Sequence, residues 1–274
     1  MATNPLKQFF RQPKIFIKLP SKGIFNNPGT LQGDLDKMPV FGMTGMDEIL
    51  MKTPDALLNG ESTVRLMQSC CPSITDGWDI SNLDVDAILV AIRIASYGNE
   101  MSVTHTCTSC GEEGDYDINL SSMLDHFSRC EYEPKIVLKN LVIKIKPLTY
   151  KKVTEFNLEN FMLQKQLAQL DTLTAEQRDV EVPKVFAALA ELQNRIFLET
   201  VDQVELESTV VTERSFIKEF LDNCDRDIFE SIKEQIEANN TLWRYPDTTV
   251  QCASCQHADS FAIQLDQSNF FVKA

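Results

Sequence analysis

Two segments of this chain, separated by more than a hundred residues, repeat one pattern. Cys107 to Leu120 reads CTSCGEEGDYDINL and Cys252 to Leu265 reads CASCQHADSFAIQL. In each, a Cys-x-x-Cys pair is followed six residues after its second cysteine by an aromatic, Tyr116 or Phe261. Alternating aliphatics come next, Ile118 and Leu120 or Ile263 and Leu265, and the copies align without a gap. A two-residue spacer lets both sulfurs of a turn face one centre, and two such knuckles can enclose Zn²⁺ tetrahedrally with Zn–S bonds of about 2.3 Å. The spacing predicts one structural zinc held by Cys107, Cys110, Cys252 and Cys255, with a strand leaving each knuckle as half of a zinc ribbon. Their separation is no obstacle, because a domain can be inserted between strands whose ends lie close together.

Two other readings of the cysteines stay open, a pair of redox dithiols and coincidence. Redox Cys-x-x-Cys motifs open a helix after a strand, whereas both segments here run into alternating strand character. A closed Cys₄ set has no open position at which to activate water, so a catalytic zinc is disfavoured. His105 and His257 flank the pairs and read as exposed knuckle residues, with replacement of a cysteine or donation to a sulfur as the alternative. Cys70, Cys71, Cys130 and Cys224 read as ordinary half-buried residues. No Ser-His-Asp set, glycine-rich phosphate loop or His-x-x-x-His helix is present, and His126 has no partner motif. The sequence therefore argues for a non-enzymatic protein with no small-molecule substrate.

Composition bounds the remaining classes. With 274 residues, 43% of them hydrophobic, the chain can bury one large core or two modest ones. It opens MATNPLKQFF without an apolar signal core, so its eight cysteines read as those of a reducing compartment. No apolar run approaches the roughly 20 residues of a membrane-spanning helix. A formal charge of −14 disfavours a nucleic acid backbone, which is bound through clustered Lys and Arg. The best basic strip, KIVLKNLVIKIKPLTYKK, alternates lysines with aliphatics, as the solvated face of a strand does.

The coarse layout is α+β, a mainly helical chain with short antiparallel strands and the ribbon. Residues 1–43, rich in Pro, Gly and Asn, read as an extended arm with one or two short strands, and Pro20 to Gly23 as a tight surface turn. Residues 44–149 carry the first knuckle, a hairpin turning at Asn140, and short helices capped at Thr44, Thr53 and Ser62. The strongest helix there is SNLDVDAILVAIRIASYG, with Asp84 and Asp86 in its first turn and Gly98 past its end. Its Arg93 is read as snorkelling to the edge, with a buried carboxylate anchor as the alternative. Residues 150–247 read as a helical insertion, and residues 248–274 as the second knuckle with a C-terminal strand.

Three blocks resemble a known family in order and spacing. IKLPSKGIF, the helix DVDAILVAIRIASYGNEM running into VTHTCTSCGEEGDYDINL, and LVIKIKPLTYKKVTEF are similar to the baseplate hub proteins of T4-like contractile-tailed bacteriophages. The resemblance covers roughly the first 160 residues as motif blocks, with Arg93 to Gly98 its most specific part. It implies a structural or assembly role in the phage baseplate, with other baseplate and tail proteins as partners. It implies a place in the host cytoplasm during assembly and then in the virion tail. A tail assembly chaperone absent from the mature particle and a zinc-ribbon regulator of nucleic acid or transcription are the alternatives.

Overall fold

The computed structural model describes residues 4–52, 60–138, 140–170, 174–207, 209–263 and 270–271. They fall into two units, Met1–Glu131 with Trp243–Ala274, and Tyr132–Leu242.

The first unit is organised by one helix. α3 (Asn82–Tyr97) is apolar nearly all round, as a helix enclosed by other elements must be, and it buries Val85, Ala87 to Ile92 and Ile94. Against it pack the antiparallel pair β1 (Pro13–Ile17) and β2 (Met38–Phe41), the helix α2 (Glu61–Cys70) and the helix α4 (Ser121–Arg129). The N-terminal stretch is thus extended, but Ile17, Leu19, Met38 and Val40 are core residues.

The turn at Pro20 to Gly23 forms, and it is not an ordinary surface turn. Asp84, from the first turn of α3, accepts the Ser21 N–H at 2.8 Å, the Ser21 hydroxyl at 2.5 Å and the Asn26 amide at 3.3 Å. Asn26 in turn accepts the Ser81 N–H at 2.7 Å. Gly23 has φ +74°, a conformation that favours glycine, and a Cβ there would also have to displace a Leu35 methyl 2.7 Å away.

α1 (Gly45–Leu50) begins as read: Thr44 and Asp47 form a reciprocal capping box. The helix expected at Thr53–Pro54 lies outside the described residues. α2 starts one residue before Ser62, behind Gly60 in the left-handed conformation, and Ser62 is buried inside the helix.

In the second unit a four-stranded antiparallel sheet has the order β5 (Lys135–Leu138), β6 (Leu141–Ile145), β7 (Val201–Leu206), β8 (Thr209–Val211). The last two strands correct the helical reading of this stretch. Val201 and Val204 pair with Ile145 and Ile143, and this tertiary pairing outweighs local pattern. The strands also answer the basic strip, since Lys144 meets Glu205 at 2.5 Å and Lys146 meets Asp202 at 2.7 Å.

Helices α5 (Tyr150–Gln169) and α6 (Ala175–Thr200) pack through Phe156, Leu163 and Leu192. α6 starts at a Thr174–Gln177 capping box and runs through Pro183. The final helical stretch is two helices, α7 (Arg214–Asn223) and α8 (Arg226–Trp243), broken at Cys224–Asp225. Ile217 and Ile232 from these helices join Ile136, Ile143 and Val204 of the sheet in one core.

Candidate metal centre

Each cysteine pair occupies the loop of a β-hairpin. β3 (Glu100–Thr106) and β4 (Glu113–Asn119) pair antiparallel up to Thr106 and Glu113, leaving residues 107–112 as the loop. β9 (Thr248–Gln251) and β10 (Ala258–Phe261) pair up to Gln251 and Ala258, leaving residues 252–257. The strand expected after each pair is present up to Phe261; Leu265 lies outside the described residues. A strand leading into each pair was not expected.

The two loops fold alike in backbone detail. Cys107 donates its N–H to the Glu112 carbonyl at 2.9 Å and accepts at its own carbonyl from Gly111 at 2.9 Å; Cys252 does the same with His257 and Gln256, again at 2.9 Å. The residue after the second cysteine is left-handed in both, Gly111 at φ 76° and Gln256 at φ 61°. The first cysteine of each pair is buried and the second exposed.

All four sulfurs lie within 4.8 Å of one another. Cys107 Sγ is 3.7 Å from Cys255 Sγ, and Cys110 Sγ is 3.7 Å from Cys252 Sγ. A tetrahedron with metal–sulfur bonds of about 2.3 Å has edges of about 3.8 Å, so these spacings fit four thiolates around one Zn²⁺. They are far too long for disulfides, whose S–S bond is about 2.05 Å. The Cys252 thiol is drawn down to about 7 by the N–H groups of Cys255 and then Ser254, which favours the thiolate that a metal requires.

A polar bridge joins the hairpins beside the sulfurs. Asp259 on β10 accepts the Thr108 N–H of the first loop at 2.8 Å, and one of its oxygens lies 3.1 Å from His105 Nε2 on β3. These contacts, Thr108 first, hold the Asp259 carboxyl well below the usual carboxylate range. His105 also stacks on Phe261 with centroids 4.4 Å apart. His105 is therefore neither a ligand nor an exposed knuckle residue; it orients the second hairpin. Sequence reasoning missed Asp259, whose only signal was an acid on the strand leaving the second pair. His257 is exposed, as expected.

The remaining cysteines do not join the cluster. Cys70, Cys71 and Cys130 are buried, more so than expected, and Cys224 is half-buried. Burial, then the nearby Asp47, pushes the Cys70 thiol up to about 12, and burial raises Cys71 further, so neither is suited to thiolate chemistry.

Residues 44–272 match the family described as T4 bacteriophage base plate protein. The chain belongs to that family. The match spans both hairpins and all of the second unit, so the helical region after Tyr150, where the motif resemblance stopped, is also part of the baseplate family pattern. The IKLPSKGIF block lies outside the matched span. No curated protein and no solved structure matches the chain. Among the described residues of this baseplate protein, no helix is long and apolar enough to cross a membrane.

Proposed function

We propose that the chain is a non-enzymatic structural or assembly subunit of the phage tail baseplate, at its hub, with a structural Zn²⁺ held by Cys107, Cys110, Cys252 and Cys255. Membership of the base plate family carries the reading. The metal fastens the hairpin of residues 248–261 to that of residues 100–119, and two-stranded hairpins need such support because they are marginal alone. Zinc here is closed off by four sulfurs and supplies no chemistry beyond this fastening.

Docking of neighbouring baseplate and tail proteins falls to apolar side chains that the fold leaves outside. At the N-terminus these are Leu6, Phe9, Phe10 and Phe16, with Phe9 77% exposed. On the outer sides of α5 and α6 they are Phe161, Met162, Val180 and Phe186, with Phe161 62% exposed. Where such exposed apolar groups form a contiguous patch, they mark an interaction surface. The docking part of the N-terminal stretch is limited to the residues before Ile17. Arg11 already ties that stretch to the fold through the Gly42 carbonyl at 2.8 Å and the Ser69 carbonyl at 2.6 Å.

The deciding experiment is quantitative mass spectrometry of purified baseplate intermediates and of mature virions. Presence in both supports a structural subunit, and presence in intermediates alone makes it an assembly chaperone. Absence from both, with salt-sensitive binding to DNA or RNA by the purified chain, replaces the proposal with the regulator reading.

A further inference from the structure

The segment Arg93 to Gly98, RIASYG, has a defined role at three of its positions and an unexplained one at the first. Ser96 accepts the Met43 N–H at 2.9 Å and donates to the Ile92 carbonyl at 2.7 Å. Tyr97 places its hydroxyl 3.1 Å from Glu48 Oε1 and 3.2 Å from the Phe271 carbonyl. Gly98 ends α3 with φ 98°. Arg93 is 5% exposed, so it does not snorkel, and its Nε and Nη1 are buried with no hydrogen-bond partner among the described residues. Its one marked contact is the Tyr97 ring, 4.4 Å from the guanidinium carbon.

A buried cation without a counter-charge is among the least stable arrangements a core can hold, and the great majority of buried polar groups are paired. The carboxylates of α1, Asp47 and Glu48, are already engaged. Glu48 meets the Tyr97 hydroxyl, and Asp47 is taken by Thr44 and Arg11. Stacking on Tyr97 stabilises the cation on one face only and leaves the donors on Nε and Nη1 unanswered. Burial lowers the pKa of Arg93, in keeping with a charge that has no counter-charge among the described residues.

We propose that Arg93 is the anchor for a carboxylate presented by a neighbouring baseplate subunit, either an Asp or Glu side chain or a chain terminus. The planar fork of a guanidinium matches a carboxylate, and burial makes such a pair strong once formed. Arg93 lies one turn from the end of α3, where the half-buried Tyr97 and the exposed Gly98 return the helix to solvent. A rotamer change of Tyr97, of the kind common when interfaces form, opens the way to it. The identity of the partner rests on the baseplate reading; the unpartnered cation does not.

The experiment compares wild type, Arg93→Met and Arg93→Lys as full chains, by thermal unfolding of the purified protein and by incorporation into baseplate intermediates from infected cells. Removing an unpaired buried charge is expected to leave the free Arg93→Met chain at or above the wild-type Tm, by up to roughly 6 °C. Its incorporation is expected to fall at least threefold. Arg93→Lys keeps the charge but loses the fork, and is expected to incorporate less than wild type. A lower Tm for Arg93→Met would mean that the cation is paired within the chain, and overturns the proposal. Incorporation of Arg93→Met within threefold of wild type, or of Arg93→Lys equal to it, also overturns it. If wild type itself is not incorporated, the baseplate reading fails instead.

Discussion

Asp84→Ala removes the group that ties the N-terminal stretch to α3, and its cost follows from the partners left behind. Ser21 is buried, so its N–H and hydroxyl lose their acceptor together, and the Asn26 amide loses one as well. An orphaned buried donor costs about 1–3 kcal/mol. Part of this is offset, because burial raises the Asp84 pKa and the carboxyl is itself costly to keep. A net loss of about 3 kcal/mol is expected, a large share of the roughly 5–15 kcal/mol that holds a domain together. The Tm falls by about 6–12 °C. Both tryptophans, Trp78 and Trp243, belong to the first unit, so urea unfolding followed by tryptophan fluorescence reads the right part of the molecule.

Asp84→Asn keeps one acceptor and is expected to lose less. It also tests the pH dependence. With its folded pKa raised above the unfolded value of 3.8, Asp84 contributes fully below that value, and the contribution declines as pH rises through the folded pKa. The stability difference between wild type and Asp84→Asn is thus expected to be largest in acid and to shrink toward neutrality. An Asp84→Ala chain within about 1 kcal/mol of wild type would refute the reasoning and return the N-terminal stretch to the status of a detachable arm.

Metal analysis of protein purified without chelator is expected to give one zinc per chain. Cys107→Ser or Cys252→Ser should lower that content, and chelation should strip hydrogen-exchange protection from residues 248–261 while α3 keeps its own. Gln256→Gly is expected to stabilise the second hairpin by about 0.5 kcal/mol, because relief of a left-handed non-glycine residue exceeds the entropy of the new glycine. Gly111→Ala is expected to cost about 1 kcal/mol at the matching position, and resistance to metal release on chelator titration ranks the two. Phe161→Glu and Phe186→Glu replace exposed side chains, so they should leave the Tm within about 2 °C of wild type and reduce co-assembly with baseplate proteins.

What the sequence disclosed depended on whether the signal was local. The two cysteine loops were legible because a Cys-x-x-Cys turn carries its geometry in a few adjacent residues, and the strands leaving them alternate visibly. Thr44 was legible as a helix cap for the same reason. β7 and β8 were hidden because VDQVELESTV follows a long helix without a proline or glycine to punctuate it, and its strand character comes from pairing of β7 with β6 and of β8 with β7. The burial of Ser21 was equally hidden, since its partner is 63 residues away in sequence. Asp259 and His105 are 154 residues apart, and only the closed pair of hairpins brings them into one bond.

The order of the two units along the chain sets a timetable for synthesis. Cys110 leaves the ribosome 142 residues before Cys252, which at 5–20 residues per second is a delay of about 7 to 28 s. Tyr132–Leu242 is continuous and can fold as it emerges, whereas the first unit stays incomplete until Trp243–Ala274 follows. During that interval Cys107 and Cys110 have no partners, and an ion they capture is held by half of the proposed ligands. On the proposed zinc site, the nascent protein therefore passes through a stage in which any captured ion is exchangeable, and emergence of the last segment ends it.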